Sequence, residues 1–240
     1  MKEMFLWPRR LFLKRVGGLT TVLVAPVGWL AESRISLAEA GEKKEEAEVS
    51  PAEDLMREHG VLSRILLIYE EIIKRLIENQ ALPPEVLPSS AALIRRFIED
   101  YHEKLEEEFL FPRFEKEGKL VDLVKVLREQ HQAGRRLTDW IREGAASRTL
   151  NDKNNGKGLG KNILLFIKMY RPHKAWEDTV LFPSIHSLFS PEAFDKLGDQ
   201  FEDRERALFG ENGFARIVAE VAELERKLNL FELSRFTPKI

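Results

Sequence analysis

One pattern occurs twice in this chain and constrains it more than anything else. His102-Glu103-Lys104-Leu105-Glu106 is followed, four residues after its Glu, by Leu110-Phe111-Pro112. His173-Lys174-Ala175-Trp176-Glu177 is followed in the same way by Leu181-Phe182-Pro183. The copies lie 71 residues apart, and a lone His precedes each by about forty residues: His59 and His131, themselves 72 apart. The chain has only five His, so four of them belong to this one arrangement. A His and a Glu four apart share a face only if the backbone is helical. The pattern therefore asks for helices, and for two halves of the chain that match.

The rest of the sequence agrees with helices. Leu55, His59, Leu62, Leu66, Tyr69 and Ile73 recur on one face of a segment that starts at Ser50-Pro51-Ala52-Glu53 and runs to about Gln80. Ser as N-cap, Pro at the first helical position and Glu three after the cap form a strong start signal. The three prolines between Ala81 and Pro88 predict a break, with Ser89 or Ser90 capping a second helix. That helix carries Ile94, Phe97, Ile98, Tyr101, Leu105 and Phe109, and Pro112 ends or kinks it. A third starts near Lys119 and carries Leu120, Val124, Leu127, His131, Gly134, Leu137 and Ile141. A polar, glycine-rich loop over Asn151–Gly160 leads to a fourth with Ile163, Phe166, Tyr170, His173, Trp176 and Leu181, distorted by Pro172. Two more helices follow, from Ser190-Pro191 to Gly210 and from Asn212 to Leu228. The expected fold is all-α: an antiparallel four-helix bundle over residues 50–186, with a helical extension over 187–240.

Residues 1–40 read as an address rather than as structure. Pro8-Arg9-Arg10-Leu11-Phe12-Leu13-Lys14 resembles the twin-arginine export motif, and Ala38-Glu39-Ala40 offers a small-x-small cleavage site before Gly41. The apolar segment between them is short and interrupted by Gly and Pro, which argues against an uncleaved membrane anchor. The reading is a periplasmic protein exported by the twin-arginine machinery, with no membrane span in the mature chain. Residues 41–49 form a charged spacer of low hydrophobicity.

Composition narrows the chemistry. There is no Cys, which removes disulfides, thiolate catalysis, zinc fingers and iron–sulfur clusters. A net charge of −2 gives no reason to expect nucleic acid. One His on an apolar stripe is usually a satisfied core residue. Four His and two Glu on such stripes are another matter, because an ionised carboxylate buried without partners costs several kcal/mol or more. Two divalent cations held by His59, His102, Glu106, His131, His173 and Glu177 remove that cost, in the manner of di-iron carboxylate bundles. The ligand types suit iron, manganese or zinc alike. By pseudo-symmetry His59 and His102 serve one metal, His131 and His173 the other, and Glu106 and Glu177 bridge.

The whole arrangement, from Pro51 to His186, resembles the hemerythrin-like (HHE cation-binding) family. The resemblance implies a di-iron centre, and in the oxygen carriers of that family an open iron position that binds O2 reversibly. Two departures stand out. The carriers have a fifth His four residues after the third-helix ligand, where this chain has Arg135. They also have Asp five residues after the last His, so Asp178 competes with Glu177; the match between halves favours Glu177. The expected function is carriage, buffering or sensing of O2 or a related diatomic molecule. The runners-up are a di-iron oxidoreductase turning over Fe(II), O2, peroxide or NO, and a storage or structural metal site. Tyr101 and Tyr170 are expected either to hydrogen-bond a carboxylate or simply to be amphipathic core residues, Glu103 to face solvent rather than serve as an extra ligand, Gly134 to make room for a small ligand or for close helix packing, and His186 to lie outside the site.

Overall fold

The computed structural model describes residues 49–146 and 153–239, without the side chains of 153–157. The expected signal peptide and nearly all of the charged spacer lie outside the described residues. Among the described residues there are helices and no strands. No helix among them is long and apolar enough to cross a membrane.

Helix α1 spans Pro51–Glu78. Ser50 Oγ accepts from the Glu53 N–H at 3.2 Å, as its sequence predicts, and Asn79 closes the helix in the left-handed region. Helix α2 covers residues 86–116 and starts earlier than expected, at Val86. Pro88 sits in its first turn, where no intrahelical N–H is needed, so it is tolerated there. Ser90 is no cap: its Oγ bonds back to the Val86 carbonyl at 2.7 Å inside the helix. Helix α3 spans Val121–Ala146. Helix α4 covers residues 153–184 and begins at Lys153, inside the stretch expected to be a loop, despite the weak helix propensity of its glycines. Helices α5 (Pro191–Phe209) and α6 (Gly213–Leu228) follow, the first capped by Ser190 as expected.

The prolines meet expectation only in part. Pro112 does not end α2, which continues to Lys116. Pro172 lies within regular helix. The irregularity instead falls just before Pro112 and Pro183, where Glu106–Leu110 and Glu177–Leu181 form π turns. Phe111 N–H bonds to Glu106 O and Phe182 N–H to Glu177 O, five residues back. A proline has no N–H to give and crowds the carbonyl four residues behind it, so the ladder widens there. Each π turn begins on a carboxylate of the repeated pattern. A further π run, Ile94–His102, leads into the first copy.

Helix α1 packs on α2 and α4, and α3 packs on the same two, so these four close a ring. Helix α6 lies against α1 and α2, and α5 against α1 and α6. The ring buries Leu55, Ile65, Phe97, Leu105, Phe114, Ile141 and Phe166 in one core. Trp176, expected in that core, is exposed. Ion pairs tie α6 to the ring: Arg64 with Glu225 and Arg96 with Glu220.

Candidate metal centre

The six side chains proposed from sequence meet in the middle of the ring, and none is more than 3% exposed. His59 comes from α1, His102 and Glu106 from α2, His131 from α3, and His173 and Glu177 from α4. His59, His102 and Glu106 have donor atoms close enough together to hold one ion; His131, His173 and Glu177 form a second such group. Each Glu also reaches the lone His of the other half. Glu106 Oε2 lies 3.3 Å from His131 Nε2, and Glu177 Oε2 lies 3.3 Å from His59 Nε2. Within the halves, Glu106 Oε1 is 3.7 Å from His102 Nε2 and Glu177 Oε2 is 3.1 Å from His173 Nε2.

Every imidazole is held from behind through Nδ1. His59 Nδ1 meets Asp178 Oδ1 at 2.7 Å, and His102 Nδ1 meets Glu58 Oε2 at 2.8 Å. His131 Nδ1 meets Glu107 Oε1 at 3.1 Å, and His173 Nδ1 meets Gln130 Oε1 at 2.9 Å. A carboxylate or an amide oxygen can only accept, so in each case Nδ1–H donates. That fixes the tautomer and turns the four Nε2 lone pairs inward. Phe182 and Phe111 stack on His59 and His131 at ring separations of 5.3 and 5.5 Å. The Phe of each Leu-Phe-Pro therefore braces the lone His of the opposite half.

The inward face crowds ionisable groups together. His59 Nε2 and His102 Nε2 are 3.0 Å apart. Both oxygens of Glu106 and both of Glu177 are buried, and no Lys or Arg among the described residues pairs with them; their near neighbours are the imidazoles. Burial pushes the Glu106 carboxyl well above the usual range, and the Glu177 and Glu103 carboxylates add to this. For Glu177, burial works in the same direction, but His173 and His59 outweigh it and hold that carboxyl well below the usual range. The two lone His split in the same way. Burial lowers both; Asp178 and Glu177 more than reverse this for His59, which rises to about 9, whereas His131 falls to about 4. Four crowded imidazoles and two buried carboxylates with no Lys or Arg to offset them fit cation binding on their own chemistry.

The flanking positions correct several expectations. Asp178 stands behind His59, so of the two rivals Glu177 is the one that faces inward. Glu103 does not face solvent: it is buried, accepts from Tyr170 Oη at 2.6 Å and pairs with Arg135 Nη2 at 2.7 Å. Ideal helix geometry places it about 100° from His102, and that face of α2 is covered by Tyr170 of α4 and Arg135 of α3 rather than by solvent. Arg135 also reaches Glu107 at 2.8 Å and the Glu99 carbonyl at 3.3 Å. Gly134 makes room for protein rather than ligand, since a Cβ there would lie 2.0 Å from Tyr170 Oη. Tyr101 Oη donates to Glu58 Oε1 at 3.1 Å, so both tyrosines bond carboxylates as expected. His186 stays outside and packs its ring on Phe194. Sequence reasoning missed Glu58, Glu107 and Gln130. Their signal was present: Glu58-His59 matches Gln130-His131, and Glu106-Glu107 matches Glu177-Asp178, at the same 72- and 71-residue offsets.

Comparison with known proteins agrees with this geometry. Residues 50–185 match the hemerythrin HHE cation binding domain. An uncharacterized protein of Mycobacterium tuberculosis (strain ATCC 25618 / H37Rv) is 46% identical over 195 residues, covering 81% of this chain and 76% of its own length. An uncharacterized protein of Mycobacterium bovis (strain ATCC BAA-935 / AF2122/97) is similar to the same extent. No solved structure is a significant match. The matched span encloses all four inward-facing His, both Glu and both Leu-Phe-Pro turns, and the chain belongs to the hemerythrin HHE cation-binding family.

Proposed function

We propose that this protein holds two iron ions in a hemerythrin-type antiparallel four-helix bundle and binds O2 or a related diatomic molecule for carriage, buffering or sensing. The observation that carries the reading is the inward face of the site. Four Nε2 lone pairs and two carboxylates converge there, each His fixed by a bond to Nδ1. His59, His102 and Glu106 would hold one ion, His131, His173 and Glu177 the other, with Glu106 and Glu177 shared between them. Iron held there supplies affinity for a diatomic molecule and one-electron redox chemistry. The chain's own contribution is to orient the imidazoles through Glu58, Asp178, Glu107 and Gln130, and to keep bulk water out by burial. Export by the twin-arginine route belongs to the same proposal and rests on Pro8–Lys14 and the Ala38-Glu39-Ala40 cleavage site.

Anaerobic loading with Fe(II), followed by cycles of O2 and inert gas, tests it. A charge-transfer band that appears with O2 and disappears under inert gas supports the reading. A band that forms once, with continuing consumption of O2 or Fe(II), replaces binding by oxidoreductase turnover. No spectral response, together with a higher Tm on metal addition, reduces the centre to a structural or storage site.

A further inference from the structure

The two metal positions have the same inner residues but different outer charge. Behind His59 and His102 stand two carboxylates, Asp178 and Glu58. Neither forms an ion pair with a Lys or Arg among the described residues; Glu58 receives only the Tyr101 hydroxyl besides His102. Behind His173 stands a neutral amide, Gln130. Behind His131 stands Glu107, whose charge is shared with Lys104 at 2.6 Å and Arg135 at 2.8 Å. The one further carboxylate nearby, Glu103, lies 4.0 Å from His131 Nδ1 and is paired with Arg135. The first half therefore has two carboxylates behind its imidazoles that no Lys or Arg among the described residues offsets, and in the second the carboxylates are matched by Lys104 and Arg135. A carboxylate behind a metal-bound imidazole raises its basicity, and such partners typically change metal affinity about 10–100-fold.

We infer that the two positions are inequivalent: a cation fills the His59/His102 position first and more tightly, and Glu58 and Asp178 are the positioning residues that set this order. The inference rests on the two-metal reading above and adds to it which half leads and why. The higher negative charge also suits the first position to the more highly charged ion of a mixed pair. Glu58 and Gln130 are the decisive pair, because they occupy matched places and differ only in charge. Either side chain can accept from Nδ1–H, so exchanging them keeps the hydrogen bond and moves the charge.

The test is calorimetric titration of metal-free full-length protein with Co(II), with the visible bands of each bound ion followed in parallel and circular dichroism confirming the fold. The wild type should bind two ions in separate phases, about tenfold or more apart. Glu58→Gln should weaken the tight phase toward the weak one. Gln130→Glu should strengthen the weak phase. The double exchange E58Q/Q130E should restore separate phases with the other half leading, identified by adding His102→Ala or His173→Ala. Two ions binding with equal affinity in the wild type, or an order that the exchange leaves unchanged, overturns the inference while leaving the two-metal reading intact. No Co(II) bound at all defeats the two-metal reading itself.

Discussion

Four residues after its lone His, the first half of the site has Ser63 and the second has Arg135. Ser63 Oγ turns back on its own helix and donates to the His59 carbonyl at 2.7 Å. Arg135 leaves its helix and reaches two carboxylates of α2, Glu103 and Glu107. Three residues after the lone His the halves differ again: Leu62 is buried, whereas Gly134 gives way to Tyr170. The inward face is shared and the shell around it is not. Matching inner residues are what a two-ion centre requires. The differing outer residues show how one half was filled with apolar packing and the other with a Tyr–Glu–Arg network.

The largest test of that contrast is a pair of substitutions with opposite volume changes. Leu62→Ala should destabilise by about 2–5 kcal/mol, because it leaves a cavity in a packed ring. Gly134→Ala should destabilise by about 1–3 kcal/mol for the contrary reason, since the added methyl displaces Tyr170. Thermal unfolding of both variants measures this. If Gly134→Ala were neutral, close approach of Tyr170 would have no role in the second half.

A smaller contrast lies at Arg135 and Ser63. Arg135→Ala removes the cation that faces buried Glu103 and should cost about 1–3 kcal/mol by leaving a charge-assisted bond unmade. Ser63→Ala should change stability by no more than about 0.5 kcal/mol. Denaturant unfolding of the two variants checks the ratio, and equal effects would break the comparison.

A third contrast separates the two lone His of the metal-free protein by pH. His59 has a folded value of about 9, above its unfolded value. Its contribution to stability is fully present below the unfolded value near 6.5 and is lost as pH rises through about 9. His131, at about 4, runs the other way: its neutral form is favoured by folding, and stability falls as pH drops from about 6.5 toward 4. NMR titration of the imidazoles resolves the pair, and Asp178→Asn should bring His59 down while leaving His131 in place.

Much of this site was legible in the chain because helical periodicity and internal matching are both one-dimensional signals. His59, His102, Glu106, His131, His173 and Glu177 could be found from offsets alone, and their convergence follows from helices that close a ring. Glu103 was not legible, because the residues that cover it, Tyr170 and Arg135, come from two other helices. Pro112 and Pro183 mark the π turns but do not reveal that these lie before them rather than at them. The start of α4 among glycines was hidden for another reason: local propensity argues against a helix there. Gly134 left two readings open, room for a ligand or close packing, because the side chain that decides for packing, Tyr170, lies 36 residues away.

The central claim is that both halves hold metal together. Iron content of protein loaded with Fe(II) under inert gas measures it most directly, in the wild type and in His102→Ala and His173→Ala. The account predicts two ions per folded wild-type chain and a loss of at least one in either variant. A wild type that stays free of metal, or two variants that keep the full complement, would contradict it.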